Sequence, residues 1–119
     1  MYEYNSKLVR VIDGDTVVLD VDLGFTVHVT VTVRILGINA PEITGVSKIQ
    51  GIASKDALEK ILNDIIPDKR GNKNIVVKSF MKDKYGRWLS DLLVNDTNLI
   101  IHSVSNLLVE RGFATLVNY

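Results

Sequence analysis

"KLVRVIDGDTVVLDVDLGFTVHVTVTVRILGI" spans residues 7–38, and its reading decides the fold. The stretch is rich in Val, Ile and Thr and is interrupted only by Asp13-Gly14-Asp15 and Asp22-Leu23-Gly24. β-Branched side chains suit a pleated backbone, and short Asp/Gly breaks suit turns, so three strands joined by turns are expected. From Phe25 to Ile35 the alternation is strict. Phe25, Val27, Val29, Val31, Val33 and Ile35 take one face, and Thr26, His28, Thr30, Thr32 and Arg34 the other. This predicts a long amphipathic strand.

Beyond it, residues 52–66, "IASKDALEKILNDII", place Ala53, Ala57, Leu58, Ile61, Leu62 and Ile65 at helical spacing, and Pro67 closes the pattern. "IVVKSF" and "RWLSDLLV" flank "MKDKYG" as a hairpin, and "NDTN" turns into the apolar stretch Leu99 to Ile101. Ser103 is placed to cap a second helix that carries Val104, Leu107 and Leu108 inward and ends at Gly112, where a left-handed residue is wanted. Strands, helix, strands and helix in this order suit a small closed β-barrel of the α+β, mainly β class. Closure removes exposed strand edges.

With 119 residues the chain reads as a single domain, 1–119, with one core and one site. Fourteen basic residues balance fourteen acidic ones, so no overall field gathers nucleic acid or anionic membrane, and anion binding must come from a local cluster. The absence of cysteine excludes disulfides, thiolate nucleophiles and thiolate zinc sites. Two scattered histidines, His28 and His102, do not suggest a metal cluster. No stretch has the length of an apolar membrane span, and "MYEYNSKLVR" lacks the order of a signal peptide, so a cytoplasmic location is expected.

Asp13, Asp15, Arg34, Glu42 and Arg87 all fall at strand ends or turns, where a barrel presents side chains at one rim. Singly, each has an ordinary explanation: "DGD" is a turn signal, and "KYGR" is a hairpin turn with Arg87 in solvent. His28 reads as a surface residue, His102 as structural and Trp88 as core. Arg34 is the hardest to dismiss. It lies on a strongly apolar strand, and a half-buried guanidinium needs an anion as partner. Pro41 holds Ala40 extended and so aims Asn39 and Glu42.

Taken together, "IDGDT", Arg34-x-x-Gly37-Ile38-x-Ala40-Pro41-Glu42 and "DKYGR", in this order around one inserted helix and followed by "LVERGFA", resemble the staphylococcal nuclease (thermonuclease) family. The resemblance covers about residues 8–117. It implies a five-stranded OB-type barrel with helices and a calcium-dependent phosphodiesterase that cuts DNA and RNA to leave 3′-phosphates. Matched position by position, Asp15 corresponds to the first calcium-binding aspartate, Asn39 falls on the second, and Ala40 supplies a backbone carbonyl to the metal. Glu42 corresponds to the proposed general base, Arg34 and Arg87 to the arginines that hold the scissile phosphate, and Asp13 to a supporting acid. Lys84 and Tyr85 match nucleotide contacts. Near the end, Asn118 falls close to another such tyrosine, and Tyr119 takes its place only on a shift of one residue.

The chemistry of these residues points the same way. Attack of water on a phosphodiester builds charge on the phosphoryl oxygens, which bidentate arginines and a hard cation stabilise. Calcium takes oxygen ligands only, and this residue set offers them; the sequence leaves calcium, magnesium and manganese open. Asn39 keeps an oxygen where an aspartate would stand but removes a charge, which weakens calcium binding and reads as tuning rather than inactivation.

Two further departures from the family stand out. The hairpin between Asp15 and Arg34 is longer than in its best-known member, so the "DLGF" tip is expected to project beside the cleft. That member also has a further C-terminal helix, whereas this chain stops at Tyr119. A partly uncovered core follows from that comparison, with dimerisation, a different packing or lower stability as ways to meet it. The alternative to an enzyme is a non-catalytic OB-type module that binds single-stranded nucleic acid or a protein partner. Neutral charge and Asn39 favour it; an aromatic content of 7% counts against it.

Overall fold

The computed structural model describes residues 2–41, 48–95 and 100–117. The stretch 7–38 forms three strands: β1 (Tyr2–Asp13), β2 (Thr16–Gly24) and β3 (Val27–Ile35). β1 pairs with β2, and β2 with β3, both antiparallel. The turn between β2 and β3 takes Gly24, Phe25 and Thr26 through positive φ values of 83°, 54° and 62°. Phe25 is therefore a tip residue, 97% exposed, and not the first inward residue of β3. The alternation holds along β3, but its outer half is not core: Val27 and Val29, on the same face as Phe25, are 52% and 40% exposed, and burial starts only toward Val33 and Ile35.

A two-residue strand, β4 (Ile38–Asn39), leads to helix α1 (Lys48–Asn63). The helix begins four residues before the start read from its apolar spacing. It buries Gly51, Ser54, Leu58, Ile61 and Leu62. Ile65, just beyond it, is also buried, but Ala53 is exposed. Helix α1 packs on β1 and on α2.

The hairpin of β5 (Ile75–Lys82) and β6 (Trp88–Asn95) forms as the sequence indicates. β7 (Ile101–Ser103) pairs with the end of β6, and the short helix α2 (Val104–Glu110) follows. Residues 96–99, within the predicted "NDTN" turn and the start of the Leu99 stretch, lie outside the described residues. Ser103 occupies the N-cap position, but its hydroxyl makes no cap hydrogen bond; it lies 3.2 Å from Asp91 Oδ1 and 2.8 Å from Ser105 Oγ. Gly112 ends the element with φ of 79°, as its place after α2 requires.

Sheet order is β3-β2-β1-β5-β6-β7, and β3 returns to pair with β6 in parallel through Val33↔Trp88, Arg34↔Leu89 and Ile35↔Ser90. Five strands thus close an OB-type barrel, with β7 as a sixth strand. The edge of β6 is shared: β3 takes its first half and β7 its second. Bulges in β1 at Val9 and Ile12, and in β5 at Phe80, bend the strands enough to close. The core fills the barrel and the space beneath α1 and α2, with Leu19, Ile35, Leu58, Ile75, Leu92 and Leu108 all at 0% exposure. β8 (Thr115–Leu116) pairs with β4 and so returns the chain to Asn39. Among the described residues no helix is long and apolar enough to cross a membrane.

Candidate functional site

The Asp13-Gly14-Asp15 turn is pressed between α1 and the residue after β4. A β-carbon built on Gly14 would lie 2.6 Å from Ser54 Cβ and 2.9 Å from Ala40 Cβ. Gly14 does not have a positive φ; the glycine is required for space. This close approach brings Asp15 against Ala40, 25 positions away in sequence. The Ala40 N–H donates to Asp15 Oδ2 at 2.9 Å, and the Thr16 hydroxyl donates to Oδ1 at 3.0 Å. Asp15 Oδ2 also lies 3.4 Å from Arg34 Nη2, both side chains being nearly buried at 12% and 10% exposure.

Arg34 therefore has the anionic partner that its burial demands. Its fork is further fixed by Nη1 donating to the Ile35 carbonyl at 2.9 Å and Nη2 donating to Asn39 Oδ1 at 2.6 Å. Asn39 is held in turn by strand pairing with Thr115. One turn, one strand end and one short strand thus converge a carboxylate, a guanidinium, an amide oxygen and a peptide unit. Asp13 stands half-buried at the end of β1, two residues before Asp15. Next to it runs a cleft of about 510 Å³, lined by Asn39, Ala40, Gln50, Ala53, Phe113 and Thr115. The Ser54 hydroxyl fastens its two walls by donating to the Phe113 carbonyl at 2.7 Å.

Lys84, Tyr85 and Arg87 form a second group at the β5–β6 turn. Lys84 Nζ lies 5.1 Å and Arg87 Cζ 5.3 Å from the centroid of the Tyr85 ring, which is 71% exposed. Arg87 is not simply in solvent: its Nε donates to Asp83 Oδ2 at 2.8 Å. The parallel pairing of Arg34 with Leu89 sets Arg87 two residues from Arg34's row on the barrel wall. Glu42 and Tyr119 lie outside the described residues.

Asp83 was not singled out from sequence, although Asp83 and Arg87 stand four apart across a turn that contains Gly86, and that spacing is the usable signal. Its Oδ1 accepts the N–H groups of Tyr85 and Arg87, each at 2.9 Å. Desolvation raises its proton affinity, but the Arg87 N–H, the Arg87 guanidinium and the Tyr85 N–H outweigh this and hold the carboxyl below its ordinary value of 3.8. Folding thus favours the charged form. The resulting stability is complete above pH 3.8 and is lost as pH falls through the lower folded value. Thermal unfolding between neutral and strongly acidic pH should show this loss, and Asp83→Asn should flatten that part of the profile.

His28 is a surface residue, as expected, 3.4 Å from Asp20. Trp88 is not plain core: it is only partly buried, with Lys82 Nζ 5.7 Å from its ring centroid. Thr16, which orients Asp15, was legible only as the last letter of "IDGDT". Among the described residues no group of three or more His, Cys, Asp or Glu could hold a metal ion.

The family model described as staphylococcal nuclease homologue matches residues 32–119. The match includes Arg34, Asn39, Ala40, Glu42, Lys84, Tyr85, Arg87 and Tyr119, while Asp13 and Asp15 precede it. An uncharacterized protein of Methanocaldococcus jannaschii is 29% identical over 93% of this chain. The chain spans 58% of that relative's length.

Proposed function

The chain belongs to the staphylococcal nuclease homologue family, and we propose that it is one nuclease-like domain, 1–119, that hydrolyses phosphodiester bonds in DNA or RNA with a divalent cation, calcium first. The observation that carries this reading is the group of Asp15, Arg34, Asn39 and Ala40, joined by one ion pair and two hydrogen bonds.

The donors fit a hard cation. An ionised carboxylate has about four lone-pair sites and an amide oxygen two. Asp15 spends two, on Thr16 and Ala40, and faces Arg34 as an ion pair, and Asn39 Oδ1 spends one on Arg34, so each retains lone-pair capacity. Asp15, Asn39 Oδ1 and the Ala40 carbonyl would hold the ion, as a weak site with a single full charge. When bound, the ion supplies charge neutralisation at the phosphoryl oxygens.

The chain's own groups do the rest. Arg34, already desolvated, turns its fork to the phosphate, and Arg87 approaches from the hairpin; both oppose the charge that grows in the transition state. Glu42 takes the proton of the attacking water. The leaving 5′-oxygen gains a proton from solvent, and the phosphate stays on the 3′ side. Lys84 and Tyr85 hold the nucleotide, with Tyr119 as a further contact.

Cleavage of single-stranded DNA across a calcium titration tests this, comparing wild type, Asn39→Asp and Glu42→Gln. Wild type is expected to cut. Asn39→Asp should shift the midpoint to lower calcium and, because the added charge also draws Arg34, raise KM. Glu42→Gln should lose about 10²- to 10⁴-fold in rate with binding retained.

A second reading, a binding module without catalysis, draws on the Arg34–Asn39 hydrogen bond, which occupies the phosphate-binding fork with a neutral partner. Silence of wild type at every calcium, magnesium and manganese level, with cutting by Asn39→Asp, would establish it.

A further inference from the structure

One end of the barrel is open, lined by residues of β1, β2, β3, β5 and β6. The open mouth is a funnel of about 420 Å³. Its floor is Val21, Val33, Val77 and Ser90, all at 5% exposure or less. Its rim carries Tyr2, Leu23, Val29 and Phe80, which are 70%, 43%, 40% and 48% exposed. Tyr4 and Trp88 line the wall between them. Tyr2 and Tyr4 stack, with ring centroids 6.3 Å apart and planes at 26°.

Phe80 is aimed there by the β5 bulge. In a regular strand Ser79 and Phe80 would face opposite sides, yet both line the funnel. The register shift between Ser79 and Met81 leaves Phe80 as the extra residue and turns it inward. A large aromatic held half-exposed by a bulge is not needed to fill the core, whose floor residues are already buried.

The lining itself is uncharged and aromatic-rich, and the nearest cations come from the β5–β6 hairpin beside it. The chain as a whole is neutral, and in residues 78–87 Lys78 lies 3.7 Å from Glu3 and Arg87 is paired with Asp83, so the cations that sit on aromatic faces there are Lys82 over Trp88 and Lys84 over Tyr85. Lys82 Nζ lies 5.7 Å from the centroid of the Trp88 ring, so a cation and a stacking face occur together at the wall. Trp88 follows Arg87 directly and pairs with Val33, the neighbour of Arg34. A basic edge, stacked aromatics and continuity with the phosphate-binding arginines are the elements of a single-strand platform.

We infer that the open barrel mouth is a base-stacking subsite for single-stranded nucleic acid, receiving a base of the strand whose phosphate is held at Arg34 and Arg87. This rests on the nuclease reading above and adds to it a site away from the scissile bond. The mouth selects unpaired strands, because a base can enter it only when unstacked from its duplex.

Trp88 is the chain's single tryptophan, so its fluorescence reports on the mouth. The full chain is titrated with a short oligodeoxythymidylate in chelator, where cutting is off, and binding is followed in parallel by anisotropy of the labelled strand. Saturable quenching of Trp88 is expected. Phe80→Ala should weaken binding about ten-fold, in line with the loss of one stacking partner. Phe25→Ala, at the 97% exposed hairpin tip and outside the mouth, should change nothing. Thermal unfolding verifies that each variant is folded.

Binding without a Trp88 response, or with Phe80→Ala equal to wild type, overturns the subsite. Cutting of DNA in calcium by the same preparations then shows that the nuclease reading survives it. Failure to bind or cut under any condition removes both. Concentration-dependent self-association that Phe80→Ala abolishes and the oligonucleotide cannot displace assigns the mouth to a second copy of the chain, and likewise overturns the subsite.

Discussion

Arg34→Ala is expected to lower phosphodiester cleavage by about 10²- to 10³-fold, the scale seen when one preorganised donor to a developing oxyanion is removed. The same change should destabilise the protein by about 3–5 kcal/mol, because it leaves the carboxylate of Asp15 buried without its cation. That is a large part of the stability of a domain this size. Truncation alone would confuse the two effects, so Arg34→Lys is the informative companion. It keeps the charge near Asp15 but loses the planar fork that bonds Ile35 and Asn39 and that the proposed function gives to the phosphate. Arg34→Lys should retain most of the unfolding free energy in a denaturant titration and still lose most of the cleavage rate. A folded Arg34→Lys protein that cuts within about ten-fold of wild type would remove Arg34 from the proposed chemistry.

The second large effect is expected at Gly14, a residue with no functional group. Gly14→Ala puts a methyl 2.6 Å from Ser54 Cβ and 2.9 Å from Ala40 Cβ, and 3.1 Å from the Ser54 carbonyl carbon. A neighbouring backbone must therefore move. Overpacking of this kind costs about 1–3 kcal/mol. The parts that give way are those that set the site, since Asp15 follows Gly14 and Ala40 donates to it. Cleavage should fall along with the denaturant midpoint. Ser54→Gly removes the nearer clash, so the Gly14→Ala/Ser54→Gly double variant should be more stable than the sum of the single losses, the signature of residues in contact. Additive losses would show that the turn does not press on α1 as described.

Local pattern carried the elements a long way. The Val/Thr alternation of 27–35, a first helix, read as 52–66 and formed over 48–63, and the β5–β6 hairpin follow from side-chain periods and turn residues, which act over a few positions. The errors fall where tertiary contacts outweigh that code. Phe25 belongs to the apolar register but turns out at the hairpin tip. Ala53 has helical spacing but faces the cleft. Ser103 stands at the cap, yet its hydroxyl serves Asp91 and Ser105 instead of the helix. Trp88 is large and apolar but lines an open mouth.

For the site, residues that singly had ordinary explanations pointed to phosphate and metal chemistry through the joint resemblance of three short motifs to a known family, and the carboxylate, guanidinium and amide oxygen they carry suit that chemistry. Asp83 escaped notice because its role is to shape the turn that presents Arg87.

By itself, then, the sequence determined a small barrel of short strands with two helices and a set of oxygen donors and arginines at its turns, since composition and periodicity are local properties of the chain. Only the tertiary structure decided that β3 closes on β6, that Asp15 meets Ala40 and Arg34, that Asn39 holds Arg34, and that the far mouth stays open. Each depends on residues distant in sequence reaching one place, and that meeting is fixed by packing, as where Gly14 leaves room for Ser54.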